Sequence, residues 1–240
     1  IPLIRGVHRS RSLVRHWKEY FPGHDYDTNY GLSESIGPGC VHLGIENIDH
    51  VGAIGIPGYG WKCKIVDPDR KEVARGDVGE LAVFGPGVME CYYNDKAATD
   101  EVMDDEHWLY TGDMAMQDED GFYWLVDRKK DVIISGGENI YPVQIEDFLH
   151  EFEPVDDVAV IGLPDKRLGE ISAAIIELKK GYEKISEEDV EKFCNALPKY
   201  KRPRRIIFAD VPRNATGKIE KPKLREMYGG EKLVERENKA

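Results

Sequence analysis

The sequence predicts an α+β fold in two units. A β-rich, distorted barrel-like portion is expected over residues 1–128, a small α+β unit over 129–228, and a frayed tail over 229–240. Three observations carry this. From about Asp25 to Asp127, short runs of strand length are punctuated by Pro-Asp, Gly-Asp and Gly-Pro pairs. After Asp127, segments of strand and helix period follow one another irregularly. Between the two textures lies the charge run Asp127-Arg128-Lys129-Lys130-Asp131, which reads on composition as an exposed linker. With 41% hydrophobic residues in 240, the chain can build a core.

In chain order, Leu13, Val14, Trp17 and Tyr20 fall at helical intervals over Arg9–Tyr20, and Phe21-Pro22-Gly23 supplies the stop. Trp61–Val66 and Glu80–Phe84 are strands, and Leu109–Ala115 with Phe122–Val126 form a hairpin around Asp118-Glu119-Asp120-Gly121. That acidic turn lacks an acid at Met116, where a calcium loop with Gly121 at its sixth position would need one, so it reads as a solvated turn. A strand over Asp131–Ile134 meets a corner at Gly136 and Gly137, then a helix runs from Pro142 to Phe152, with proline suited to the first turn. Strands follow at Val158–Ile161 and Ile171–Leu178. A helix over Ser186–Ala196 carries a near capping box, Ser186-x-x-Asp189, and a strand (Arg205–Phe208) and a helix (Lys221–Met227) complete the order.

Composition excludes several classes. The net charge of −12 argues against a whole-surface nucleic-acid footprint. The basic cluster Lys199–Arg205 leads directly into the apolar strand Ile206-Ile207-Phe208, so no nucleic-acid partner is expected. No apolar run reaches the ~18 residues of a spanning helix, so no integral membrane segment is expected. The cysteines at 40, 63, 91 and 194 are too scattered for a zinc or redox CxxC motif, and the expected setting is reducing and cytoplasmic.

Four short segments carry possible chemistry. Asn29-Tyr30-Gly31-Leu32-Ser33-Glu34 combines an aromatic, a permissive glycine, a hydroxyl and a carboxylate, which suits a flat ring and a hard cation or equally an ordinary turn. Tyr110-Thr111-Gly112-Asp113 offers one carboxylate to a vicinal diol, or caps a turn. Arg128 is an always-charged partner for a phosphate or ribose oxygen. Arg213-Asn214-Ala215-Thr216-Gly217-Lys218 is not a Walker loop, because Pro212 and Ile219 stand where glycine and a hydroxyl are required. Its lysine is either a solvent cation or a group delivered to an anion.

Taken together, five blocks in this order resemble the adenylate-forming enzymes, which include acyl-CoA synthetases, firefly luciferase and peptide-synthetase adenylation domains. They are Tyr-Gly-Leu-Ser-Glu (30–34), Gly-Glu-Leu-Ala-Val-Phe-Gly-Pro-Gly-Val-Met (79–89), Tyr-Thr-Gly-Asp (110–113), the stretch from Asp120 to Pro142, and Pro-Arg-Asn-Ala-Thr-Gly-Lys-Ile (212–219). The likeness runs from about Leu13 to Tyr228. The form Ser-Gly-Gly-Glu-Asn-Ile-Tyr-Pro resembles acyl-CoA synthetases more than peptide-synthetase domains.

The resemblance implies an ATP-dependent acid–CoA ligase acting on a small carboxylic acid, ATP and coenzyme A. Tyr30 would stack on adenine beside Gly31, Ser33 would contact phosphate, and Glu34 would help hold Mg²⁺. Asp113 would grip the ribose of ATP or AMP with Arg128 beside it. Lys130 would be a hinge, and Lys218 would stabilise the carboxylate and α-phosphate as the acyl-adenylate forms. After rotation Ser135, Gly136 and Gly137 would line the pantetheine channel, with Arg167 and the 199–205 cluster toward the CoA phosphates. The chain departs from the family in lacking its Ser/Thr/Gly/Lys phosphate loop and the small-residue loop expected before the first helix, where Arg5–Arg11 stand. The expectation is therefore the C-terminal part of a ligase, largely inactive alone. Loading of a carrier protein, or a binding module that kept the fold without the reaction, are the alternatives.

Overall fold

The computed structural model describes residues 19–22, 27–37, 39–42, 50, 52–215 and 217–229. The expected first helix lies outside these residues except for Glu19 and Tyr20, which are helical, and the expected tail lies outside them after Gly229. The chain forms two compact units, Ile1–Lys129 and Lys130–Ala240.

In the first unit, β1 (Thr28–Tyr30), β2 (Cys40–His42) and β3 (Ile56–Pro57) make a small antiparallel sheet. Next, β4 (Lys62–Val66), β5 (Gly79–Phe84), β6 (Leu109–Gln117) and β7 (Tyr123–Arg128) form an antiparallel meander. Neither sheet closes on itself among the described residues, so the expected barrel-like end is two open sheets. Alternation on β5 explains how both sides are used. Leu81 and Val83 join Ile65, Leu109 and Tyr123 in one core, whereas Ala82 packs with Val66 and Tyr110 in another. Helix α1 (Lys96–Val102) buries no residue and is started by Asp95, whose carboxylate accepts from the Ala98 N–H. The sequence does not announce it, because seven residues with no fully buried position show too little apolar periodicity.

The second unit contains β8 (Ile133–Ser135), β9 (Glu138–Ile140), α2 (Pro142–His150), β10 (Val155–Asp165), β11 (Gly169–Leu178), α3 (Glu187–Cys194), β12 (Arg205–Phe208) and α4 (Lys221–Tyr228). β11 is central, pairing antiparallel with β10, parallel with β12, and with β8 at Gly169↔Ser135. Both faces of this sheet are covered, which is why its strands read as continuous apolar runs. Val158, Val160, Ala174 and Ile176 pack on one side with Ile145 and Leu149 of α2 and Val190 of α3. Ala159, Ile161, Ala173 and Ile175 pack on the other with Val211 and Leu224 of α4. The Ser186–Asp189 capping box forms in both directions, at 3.0 and 3.3 Å. No helix among the described residues is long and apolar enough to cross a membrane.

Candidate functional site

The first unit gathers Tyr30, Asp113 and Arg128. The Tyr30 hydroxyl donates to Asp113 Oδ2 at 2.6 Å, and Arg128 Nε lies 3.1 Å from Oδ1 of the same carboxylate. Asp113 is 5% exposed, while the Arg128 side chain is 52% exposed, so the acid is anchored inside and its cation reaches toward solvent. Burial first, and then the charge of Asp113, push the Tyr30 phenol far above its usual range and keep it a donor. Register accounts for the placement. Asp113 lies opposite Arg128 across β6 and β7, and β6 bulges over Thr111-Gly112-Asp113 where β5 steps from Glu80 to Ala82. The bulge is fixed by the Thr111 hydroxyl, which donates to the Leu81 carbonyl at 2.7 Å, and by the Gly112 N–H, which donates to Glu80 Oε1 at 3.0 Å.

The loop after β1 places Gly31 and Ser33 exposed and Glu34 half-buried in a 3₁₀ turn. Two groups to which the sequence assigns no role hold it. The Tyr92 hydroxyl donates to Glu34 Oε1 at 2.9 Å, and the Met89 N–H donates to the Glu34 carbonyl at 2.7 Å. Gly87 permits this approach, since a Cβ there would collide with the Ser35 carbonyl oxygen. No sequence spacing announces Tyr92, which stands 58 positions from Glu34.

At the junction, Lys129 is tied to Glu80 within the first unit at 2.7 Å. Asp131 is tied within the second unit, to Arg225 of α4 at 2.7 Å. Lys130 stands between them, exposed, with no side-chain hydrogen bond or ion pair among the described residues. The charge run that reads as a bare linker is therefore pinned on both sides of one residue.

In the second unit Lys218 is exposed, and its ammonium makes no hydrogen bond or ion pair among the described residues. Its backbone, in contrast, is held firmly. Its N–H donates to Asn214 Oδ1 at 3.0 Å, and its carbonyl accepts from the Asn214 N–H at 2.9 Å. Arg213 braces the same loop, donating to the Gly217 carbonyl at 2.7 Å and reaching Asp157 Oδ2 through Nε at 2.7 Å. Beyond the loop, Lys221 at the start of α4 forms a 2.8 Å pair with Glu146 of α2, both side chains being about 12% exposed or less. Glu146 also accepts from the Val160 N–H at 2.7 Å. The sequence assigns no role to either Arg213 or Lys221, although Arg213 opens the 213–218 segment and Lys221 the last helix.

Ser135, Gly136 and Gly137 form the turn between β8 and β9, with both glycines at positive φ (61° and 90°). The Gly136 N–H donates to the Leu168 carbonyl at 2.8 Å, so this turn lies beside the β10–β11 turn that carries exposed Arg167. The latter is closed by Asp165, whose Oδ1 accepts from the Arg167 and Leu168 N–H groups at 2.9 and 2.8 Å. The glycine turn and the Lys218 loop are thus anchored toward opposite ends of β10, at Asp165 and Asp157, roughly 26 Å apart along an extended strand. In the 199–205 cluster Arg202 is committed internally, to Asn195 Oδ1 at 2.7 Å and the Leu197 carbonyl at 3.0 Å.

Two open antiparallel sheets followed by a sheet-and-helix unit make an α+β fold whose structural neighbours are adenylate-forming enzymes. The comparisons agree, and the chain belongs to the AMP-binding enzymes. The AMP-binding enzyme profile matches residues 4–93, and that of the AMP-binding enzyme C-terminal domain matches residues 144–218. A feruloyl-CoA synthase of Amycolatopsis is 37% identical over 83% of this chain and 41% of its own length. A long-chain-fatty-acid–CoA ligase of Salmonella typhimurium is 40% identical over 84% of this chain and 36% of its own. The solved o-succinylbenzoate-CoA synthetase of Bacillus subtilis, in complex with its acyl-adenylate intermediate, superposes with a TM-score of 0.83 at 31% identity, covering 94% of this chain and 46% of that one. The chain spans less than half the length of each of these relatives.

Proposed function

We propose that this chain supplies the ribose-binding carboxylate, the hinge and the mobile lysine of an ATP-dependent acid–CoA ligase. The reaction has two steps. A carboxylic acid attacks the α-phosphate of ATP to give acyl-AMP and pyrophosphate, and the CoA thiol then displaces AMP. Asp113 accepts both ribose hydroxyls, held for that purpose by Tyr30 and Arg128, while the loop from Tyr30 through Gly31 to Ser33 borders adenine and phosphate. Glu34 would hold Mg²⁺. One carboxylate, positioned by Tyr92, suits an ion that keeps its waters and takes its other ligands from phosphates, and the ion would neutralise phosphate charge. Lys218 brings its unpaired ammonium to the carboxylate and α-phosphate as negative charge gathers there.

The observation that carries this reading is the state of Lys218: its ammonium has no partner among the described residues, its loop is braced by Asn214 and Arg213, and its unit is joined to the first through Lys130, which likewise has no side-chain partner among the described residues. Rotation about Lys130 would exchange the Lys218 end of β10 for the Ser135-Gly136-Gly137 end, whose bare backbone admits a thin pantetheine arm with Arg167 nearby. In a ligase of full family length, Lys218→Ala is expected to slow adenylate formation by ~10²–10³ and to spare thioester formation from supplied acyl-AMP. Equal loss of both steps would remove the role given to Lys218. The 240 residues alone contain no family phosphate loop and are expected to release pyrophosphate feebly with any acid. Robust turnover by them would overturn that expectation. A cytoplasmic setting fits the four free thiols.

A further inference from the structure

Cys40 and Cys63 stand 23 positions apart, outside every spacing that marks a thiol motif, yet β2 and β4 bring their sulfurs to 3.4 Å. Both are free thiols. Cys40 is fully buried and Cys63 half-buried, its sulfur 3.7 Å from the Gly39 carbonyl. Cys40 is also the register partner of Tyr30 across β1 and β2, and Tyr30 in turn holds Asp113. Cys63 is fixed from the other side by the Tyr123 hydroxyl, which donates to its carbonyl at 2.8 Å. A disulfide has an S–S distance of ~2.05 Å, so joining these sulfurs closes a gap of about 1.3 Å by side-chain rotation, by a shift of β2 or β4, or by both.

We propose that Cys40 and Cys63 are an oxidisable pair that closes to a disulfide under hydrogen peroxide, and that closure, by displacing the strand opposite Tyr30, weakens nucleotide binding at Asp113. The second part rests on the nucleotide reading above, and the first does not. The chemistry assigns different parts to the two thiols. Cys63 is the more accessible and reacts first. Its sulfur attacks one peroxide oxygen, the O–O bond breaks, and the departing hydroxide leaves as water with the thiol proton, giving a sulfenic acid. The Cys40 sulfur then attacks the Cys63 sulfur, the S–O bond breaks, and the second hydroxide leaves as water with the Cys40 proton. Two thiols thus supply the two electrons that reduce one peroxide. The hydrogen bond with Cys63 and burial hold Cys40 protonated well above the usual thiol range, which slows its attack, and contact at 3.4 Å works in the opposite direction.

The test uses the full chain carrying Cys91→Ser, which removes the exposed thiol. With one equivalent of peroxide, titratable thiols should fall from three to one, the intact mass should drop by two hydrogens, and digestion should yield a reducible cross-link between the Cys40 and Cys63 peptides. AMP affinity should fall about tenfold on oxidation and return with dithiothreitol, and added Cys63→Ser should abolish both the cross-link and the peroxide sensitivity. A sulfinic acid at Cys63 with Cys40 still free, or no mass change, overturns the pair. A cross-linked chain that binds AMP as tightly as the reduced one overturns the coupling to Tyr30. Failure of the reduced chain to bind AMP counts against the nucleotide reading instead, and the peptide map still decides the pair.

Discussion

Replacing Lys221 by methionine tests whether the Lys218 loop is rooted as the structure describes. The pair Glu146–Lys221 spans 2.8 Å with side chains 11% and 12% exposed, and it joins α2 to the first turn of α4, three residues beyond Lys218. Methionine keeps the apolar stem and removes only the ammonium, leaving Glu146 with the Val160 N–H among its remaining partners. Breaking a buried pair from one side costs about 3–5 kcal/mol, and the residual exposure here argues for the lower end. For a unit of roughly 110 residues, a loss of about 3 kcal/mol lowers the melting midpoint by roughly 10 °C or more. The molecule provides its own control. All four tryptophans (17, 61, 108 and 124) lie in the first unit, so their fluorescence follows that unit's unfolding while far-ultraviolet circular dichroism follows both. Urea titration should move the second transition and leave the tryptophan transition in place. Adding Glu146→Gln, which keeps an acceptor for Val160, should recover about half of the loss. A Lys221→Met transition within about 0.5 kcal/mol of the parent would refute the claim that this pair is buried and anchors α4.

Other outcomes follow from the same geometry. Arg213→Ala removes the brace between the Lys218 loop and Asp157, and adenylate formation in a full-length ligase should fall about tenfold, with AMP affinity unchanged because Asp113 lies in the other unit. Asp113→Asn should weaken AMP binding by about 1–3 kcal/mol by titration calorimetry, because the ribose loses a charged acceptor. Tyr30→Phe, which only removes a positioning bond, should cost less. Asp104 accepts from the Tyr110 hydroxyl at 2.7 Å and from the Trp108 N–H at 2.9 Å. Burial by itself would raise its carboxyl, but these bonds prevail and hold it below the usual carboxylate value. The stability it contributes is therefore present above the unfolded carboxylate pKa, ~3.9, and lost as pH falls through the lower folded value. Asp104→Asn should flatten the acid limb of the tryptophan transition, and an unaltered limb would show that Asp104 is not its source.

Much of the scaffold was legible because burial imposed a pattern on it. β12 was expected over its observed residues, and β5, β11, α2 and α4 to within two residues at either end, since each hides an apolar face against a sheet or helix. Two of the misses are elements with little or no such face. α1 buries no residue fully and rests on the core only through partly buried side chains such as Val102, and β9 is three residues long with two of them exposed, specified by the glycine turn and not by side chains. β10 was expected over Val158–Ile161 and runs Val155–Asp165, because Asp156, Asp157 and Pro164 look like strand breakers until β11 is present to pair with them. The candidate site divides along the same line. Tyr30, Asp113, Arg128 and Lys218 were accessible through the resemblance of their local blocks. Their supports, Tyr92 for Glu34 and Arg213–Asp157 for Lys218, join positions more than fifty apart and carry no local signature.

Those supports also bear on where motion would be confined. Glu80–Lys129 and Asp131–Arg225 each close within one unit and grip the chain on either side of Lys130. The Lys129 side chain is 56% exposed, so its pair is worth at most about 1 kcal/mol, whereas Asp131 is 12% exposed and its partner 31%. The grip is thus firmer on the side of the unit that would rotate. Arg225 sits on the helix that begins at Lys221, so the junction is fastened to the element that roots the Lys218 loop. Torsion at Lys130 would then carry Lys218 as part of a rigid body. Lys130→Pro should uncouple the two half-reactions by fixing φ, keeping whichever step the locked conformation serves. Arg225→Ala should blunt adenylate formation and spare thioester formation from supplied acyl-AMP, because the lysine loop would no longer follow the hinge. If Lys130→Pro left both steps intact, the turning point would lie elsewhere in the chain, and the pinning of Lys129 and Asp131 would be structural alone.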